Sequence, residues 1–227
     1  MNLKRFFGRR HTPTIDDITF DTFGWNLVDD FPQKKTWINA RRSATVSIQF
    51  NSERPTLPGH PDDIQVFRQH FRTIYAQQVD GGLIRCETVH LKGCTGVEVI
   101  TKQPNQPSGM VYGGQLLLPF ASCCFTILLQ AVEVGPTGMR EAMVMDRWLK
   151  KLHAKGGDPS DHFNGYSADP YDKDFREGHL MNYAERLEFD DEFPDHPLTV
   201  VRSKMQSIKS SISFAERIKQ LKPFRFQ

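Results

Sequence analysis

Between residues 83 and 134 the sequence reads strand, turn, strand, and this stretch constrains the fold more than any other. Leu83 to Leu91 and Thr95 to Thr101 flank the dipeptide Lys92-Gly93, a connection short enough to demand a hairpin. Met110 to Leu118 and Cys124 to Val134 follow a Pro/Asn/Gly-rich loop at 103–109. In the last segment Phe125, Ile127, Leu129 and Ala131 share one face, while Thr126 and Gln130 take the other. Upstream, Ala44 to Phe50 alternates in the same way, with Ala44, Val46, Ile48 and Phe50 on one side. Trp25 to Val28 and Thr36 to Ile38 read as two further strands with Phe31-Pro32 in the turn between them. Sequential strands with short connections pair antiparallel.

Three helical patterns complete the reading. The first begins near His60-Pro61-Asp62-Asp63, where proline and acidic residues suit a helix start. Its apolar stripe is Ile64, Phe67, Phe71, Ile74 and Tyr75, and Gly81-Gly82 stops it. The second opens at Gly135-Pro136-Thr137 with Thr137 as cap. Its expected buried stripe is Met139, Ala142, Met145, Trp148, Leu149 and Leu152. The third begins around Asp195-His196-Pro197, and Leu198, Val201, Met205, Ile208 and Ile212 step by three and four along it. The class is therefore α+β: an antiparallel β-sheet flanked by helices, with an α-helical C-terminal extension.

Three regions follow. Residues 1–19 form a basic N-terminal tail, residues 20–153 the α+β sheet domain, and residues 154–227 an acidic, aromatic-rich segment with a C-terminal helix packed on the same domain. Residues 158–195 carry twelve acidic side chains against Lys173, Arg176 and Arg186, a net charge of −9. Seven aromatics, among them Tyr166, Tyr171 and Tyr183, make this an ordered wrap rather than a disordered tail.

Whole-chain charge is nearly balanced, 29 basic against 27 acidic residues, so it gives no argument for nucleic-acid binding. Lys4, Arg5, Arg9 and Arg10 are not followed by an apolar segment, so no secretory signal is expected. The apolar run at 116–134 is interrupted by Pro119, Gln130 and Glu133, which suits two buried strands joined near Pro119 and not a membrane span. Reduced cysteines and a cytoplasmic location are the expectation.

The order of strands, helix, four strands and helix resembles the PsbP-like fold, over residues 20–153. The residues that carry it are Ala44 to Phe50, the helix at 61–78, Leu91-Lys92-Gly93-Cys94-Thr95-Gly96-Val97-Glu98, Tyr112-Gly113-Gly114, the strand at 124–134 and the helix after it. A photosystem subunit, Ran-binding import factors and bacterial DcrB-like proteins share that fold. The resemblance implies a binding scaffold, in some bacterial relatives a chaperone or adaptor for secreted effectors. It transfers no functional residue to this chain.

Candidate chemistry is sparse. Cys86 and Cys94 are eight apart and Cys123-Cys124 are neighbours, spacings that suit core packing better than zinc ligation or a catalytic thiolate. Asp169-Pro170-Tyr171-Asp172-Lys173-Asp174 is rich in oxygen ligands. An EF-hand loop counted from Asp169 would put Asp174 where glycine is needed and Leu180 where glutamate is needed. The segment is expected to form a solvated or ion-paired acidic surface. His162, His179 and His196 could join these aspartates as a hydrolytic or metal-dependent constellation, although capping is the simpler role for His196. Gly135-Pro136-Thr137-Gly138 opens a helix near Arg140 but matches no phosphate-binding motif. No catalytic, cofactor-binding or metal residue is assigned. The expected function is a non-catalytic protein-binding or adaptor protein of a bacterial cell, associated with secretion or effectors, with another protein as partner, no nucleic acid and no stable membrane insertion. A hydrolase or metal-dependent enzyme using the Asp/His residues of 158–196 is the alternative.

Overall fold

The computed structural model describes residues 12–157 and 165–226. The basic cluster at Lys4 to Arg10, Phe163 and His162 therefore lie outside the described residues. Eight strands and two helices build the first part of the chain. They run β1 (Ile18–Thr19), β2 (Asn26–Phe31), β3 (Lys34–Ile38), β4 (Ala44–Asn51), α1 (Ile64–Gln77), β5 (Gly82–Leu91), β6 (Cys94–Pro104), β7 (Met110–Pro119), β8 (Cys124–Val132) and α2 (Met139–Ala154). After them come β9 (Ser167–Ala168), β10 (Met181–Asn182), α3 (Pro197–Ser211), β11 (Ser213–Phe214) and α4 (Glu216–Lys219).

Strands β2 to β8 form one antiparallel seven-stranded sheet in the order β2-β3-β4-β8-β7-β6-β5. The chain lays down β2, β3 and β4 as a meander and crosses the sheet through α1 to the far edge. It then returns by β5, β6 and β7, so that β8 closes the gap beside β4. The α+β class and its antiparallel sheet are thus as the alternation dictates. Turns follow their chemistry as well: Lys92 and Gly93 both take positive φ, at 50° and 88°, as a two-residue hairpin requires.

Alternation sorts the strands onto two faces. On one, Phe67 of α1 packs on Leu83, Cys86, Val97, Val99 and Leu117. On the other, Leu198, Val201, Met205 and Ile208 of α3 cover Val46, Ile48, Leu116, Leu118, Ile127 and Leu129. Here α3 comes so close that a Cβ at Gly114 of β7 would lie 2.7 Å from Met205 Cγ and 3.0 Å from Val201 Cγ1. The third helix is consequently the lid of the main core, and the sheet domain is not complete at residue 153.

Three further expectations need correction. Residues 12–19 are not tail: Ile15 and Ile18 are buried, β1 pairs with β11, and Asp17 meets Arg217. A two-residue strand carries no alternation, so only its distant partner reveals it. Helix α1 starts at Ile64 with Asp63 as its N-cap, so Pro61, whose carbonyl accepts the Thr88 hydroxyl at 2.6 Å, lies before the helix and not in its first turn. Helix α2 is capped by Gly138 in the left-handed region, not by Thr137, and its phase differs from the expected stripe. Met139 and Ala142 face solvent, whereas Arg140 and Val144 are buried.

The two sheet edges are treated differently. At the β5 edge, the Cys86 N–H donates to the Tyr171 hydroxyl at 2.7 Å and the Cys86 carbonyl accepts from Arg68 Nε at 3.1 Å. The His179 N–H reaches the Gly81 carbonyl just before the strand. The described part of the acidic segment therefore is an ordered wrap, and it covers this edge. Edge strand β2 has no such cover among the described residues: Leu27, Val28 and Phe31 are 48%, 54% and 59% exposed.

Candidate functional site

Among the described residues, the acidic and histidine side chains singled out from the sequence do not gather in one place. Asp169 is buried and holds Arg72 with both oxygens, at 2.9 and 3.1 Å, while Asp172 adds a third contact at 3.3 Å. Asp169 also accepts the N–H groups of Tyr171 and Asp172. The carboxylates that looked like calcium ligands thus pair with a cation of α1. His179 lies 3.7 Å from Asp80 at an exposed position, and Asp190 is engaged elsewhere by Arg140 and Arg202.

His196 caps α3, as the Asp195-His196-Pro197 pattern indicated: its Nδ1 accepts the Leu198 N–H at 3.2 Å. Around it, where β7, β8, α2 and the 181–196 segment meet, is a cluster that the sequence did not reveal. Tyr112 donates its hydroxyl to Glu185 Oε1 at 2.9 Å, and Lys102 Nζ meets both Glu185 oxygens at 2.8 and 2.6 Å. Arg140 is spread over the Ala184 and Arg186 carbonyls, Thr199 and Asp190. Burial accounts for the perturbed groups. It holds the His196 ring neutral, with a pKa pushed down to about 3, and the nearby Arg140 and Arg202 charges act in the same direction. It also raises the Glu141 carboxyl, helped by the charges of Glu185 and Glu133.

Glu133, Glu141 and His196 each place one ligand atom within 4.8 Å of the other two. His196 Nε2 lies 4.0 Å from Glu133 and 3.7 Å from Glu141 and has no hydrogen-bond partner. A cation fits poorly here. Because Nδ1 accepts the cap hydrogen bond, the proton of a neutral ring sits on Nε2, the atom a metal would need. Glu133 meanwhile accepts the Met110 and Gly138 N–H groups at 3.0 and 2.9 Å, fixing the turn into α2. Glu133 and His196 thus brace two helix starts.

Chemistry at the cysteines is equally constrained. All four are free and buried, and burial pushes Cys86 and Cys94 up to about 12 and Cys123 and Cys124 up to about 11. Such thiols are packing groups and not nucleophiles. Among the described residues no helix is long and apolar enough to cross a membrane.

Strand β2 is the part of this geometry that offers contact surface. Its hydrogen-bonding edge faces away from β3, and its exposed apolar side chains flank Asp29 and Asp30. Fold and surface together describe an antiparallel α+β protein whose β5 edge is covered at Cys86 and whose β2 edge is uncovered among the described residues.

No family model matches the chain, and no curated protein matches it. Solved structures that it matches include PsbP (CyanoP) of Synechocystis sp. PCC 6803, at 18% identity over 61% of this chain and 85% of that one, with a TM-score of 0.35. A protein of unknown function, PA94 of Pseudomonas aeruginosa, matches at 10% identity over 56% of this chain and 93% of that one, also with a TM-score of 0.35. A Bacteroides thetaiotaomicron structure matches at 10% identity and a TM-score of 0.33, over 52% of this chain and 39% of that one.

Proposed function

We propose that the protein is a non-catalytic, cytoplasmic binding or adaptor protein that takes an extended segment of a partner protein along β2. One contrast carries this reading: Tyr171 and Arg68 cover the β5 edge at Cys86, while among the described residues β2 ends the sheet with Leu27, Val28 and Phe31 exposed. An added strand would gain main-chain hydrogen bonds and cover these side chains. The free, buried cysteines are in keeping with a reducing compartment.

A second copy fits less well. In a symmetric antiparallel β2–β2 pair over Asn26–Phe31, Asp29 would face Val28 and Asp30 would face Leu27, which sets carboxylates against apolar side chains and gains little cross-strand stabilisation. The test is quantitative affinity capture with the wild-type chain and with a Leu27→Lys/Phe31→Lys double variant. Both side chains are exposed, so the variant keeps its fold. Proteins retained by the wild type and lost by the variant support the reading. Identical recovery by both chains contradicts it.

A further inference from the structure

Where the β5–β6 and β7–β8 turns meet the C-terminal residues lies a partly open pocket of about 190 Å³. Phe120, Phe214, Ile218, Leu221 and Phe224 supply most of its apolar wall. Protein interiors are close-packed, and an apolar cavity of about 150 Å³ already accepts a benzene ring.

Lys92 and Lys219 line the pocket, together with the polar side chains of His60 and Thr95. His60 has Asp62 at 3.4 Å, and Lys219 has Glu216 at 2.5 Å. Lys92 has no carboxylate partner among the described residues. It also occupies the first turn position of the β5–β6 hairpin at φ 50°, where asparagine or glycine is favoured. Turn chemistry therefore does not account for the lysine. The outer wall is the C-terminal strand of chain, held by the Ala121 N–H on the Lys222 carbonyl at 3.0 Å and by Arg54 on the Arg225 carbonyl at 2.8 Å.

We propose that this cavity binds a small free organic acid, its apolar body of about six to eight carbons among the phenylalanines and its carboxylate at Lys92. The site is separate from β2 and stands whether or not that edge binds a partner.

The test is a two-dimensional amide NMR titration of the full chain with octanoate, with octanol and palmitate as comparisons, repeated on Lys92→Glu. Octanoate is expected to give saturable shifts confined to residues 92–95, 119–121 and 214–224. Lys92→Glu is expected to weaken octanoate about two- to fivefold, the weight of one exposed ion pair, and to leave octanol unchanged. Lys92 is exposed in its turn, so the variant spectrum also reports an intact fold. Absence of saturable shifts, shifts centred elsewhere, equal binding of octanol and octanoate by the wild type, or tightest binding by palmitate would each overturn the proposal.

Discussion

Replacing Arg140 by methionine tests whether the buried cluster, and not the apolar stripe of α2, holds the 181–202 segment on the sheet. Methionine keeps a flexible apolar stem of similar length and removes every donor. Four contacts go with it: the Ala184 carbonyl at 2.6 Å, the Arg186 carbonyl at 3.0 Å, Thr199 Oγ1 at 2.9 Å and Asp190 Oδ1 at 2.9 Å. Stranding one partner of a buried ion pair costs about 3–5 kcal/mol, and each buried acceptor left without a donor about 1–3 kcal/mol. Asp190 keeps Arg202 at 2.9 Å, which offsets part of this, and the guanidinium no longer has to be desolvated. A net loss of about 3 kcal/mol results. With a urea dependence of about 2–3 kcal/mol per M, the unfolding midpoint falls by about 1–1.5 M at unchanged slope. Fluorescence is a suitable probe, since Trp148 stacks edge-on against Tyr166 in the same region. Arg140→Lys keeps the charge but not the planar fork and should fall between the two. A loss under about 1 kcal/mol for Arg140→Met would refute the assignment.

Gly114→Ala pushes a Cβ into Met205 and Val201 and should destabilise by about 1–3 kcal/mol, with Met205→Ala recovering part of the loss in the double variant; additive losses would deny the contact. His196 is held neutral in the fold at a pKa of about 3, against 6.5 when unfolded. Between those values the unfolded chain binds the extra proton, so this contribution is intact above pH 6.5 and is lost as pH falls toward 3, by a few kcal/mol in all. His196→Asn, which still caps α3, should flatten that part of a pH series of urea titrations; an unchanged slope would contradict the neutral ring. The four cysteines should resist a thiol reagent in the native chain and react on unfolding, because they are buried as well as weakly acidic; fast native labelling would show otherwise.

What the sequence disclosed follows from the range of each interaction. Period-two alternation is local, so β4, β6, β7 and β8 were legible to within a few residues, as was the Lys92-Gly93 turn. Helix α3 declared its apolar face, and His196 its capping role. Arg140 escaped because hydropathy turns an arginine outward, whereas here its fork answers backbone carbonyls 44 and 46 residues away. Lys102 and Glu185, 83 residues apart, were hidden in the same way. One signal did exist: the net charge of −9 over 158–195 in an aromatic segment requires cations from elsewhere in the chain, and Arg72, Arg140, Arg202 and Lys102 are among those that answer it. The open β2 edge was legible as a strand but not as an edge, because strand order depends on where β8 inserts.

The most direct test of the proposed function is photo-crosslinking from β2 in the native cell, with a photoreactive residue at position 28 and, in a parallel chain, at position 87 on the sealed β5 edge. The account predicts a defined crosslink from position 28 to an extended segment of another protein, abolished by Leu27→Lys/Phe31→Lys and absent from position 87. Crosslinks of equal yield from both edges, or from position 28 only to a second copy of this chain, would contradict it.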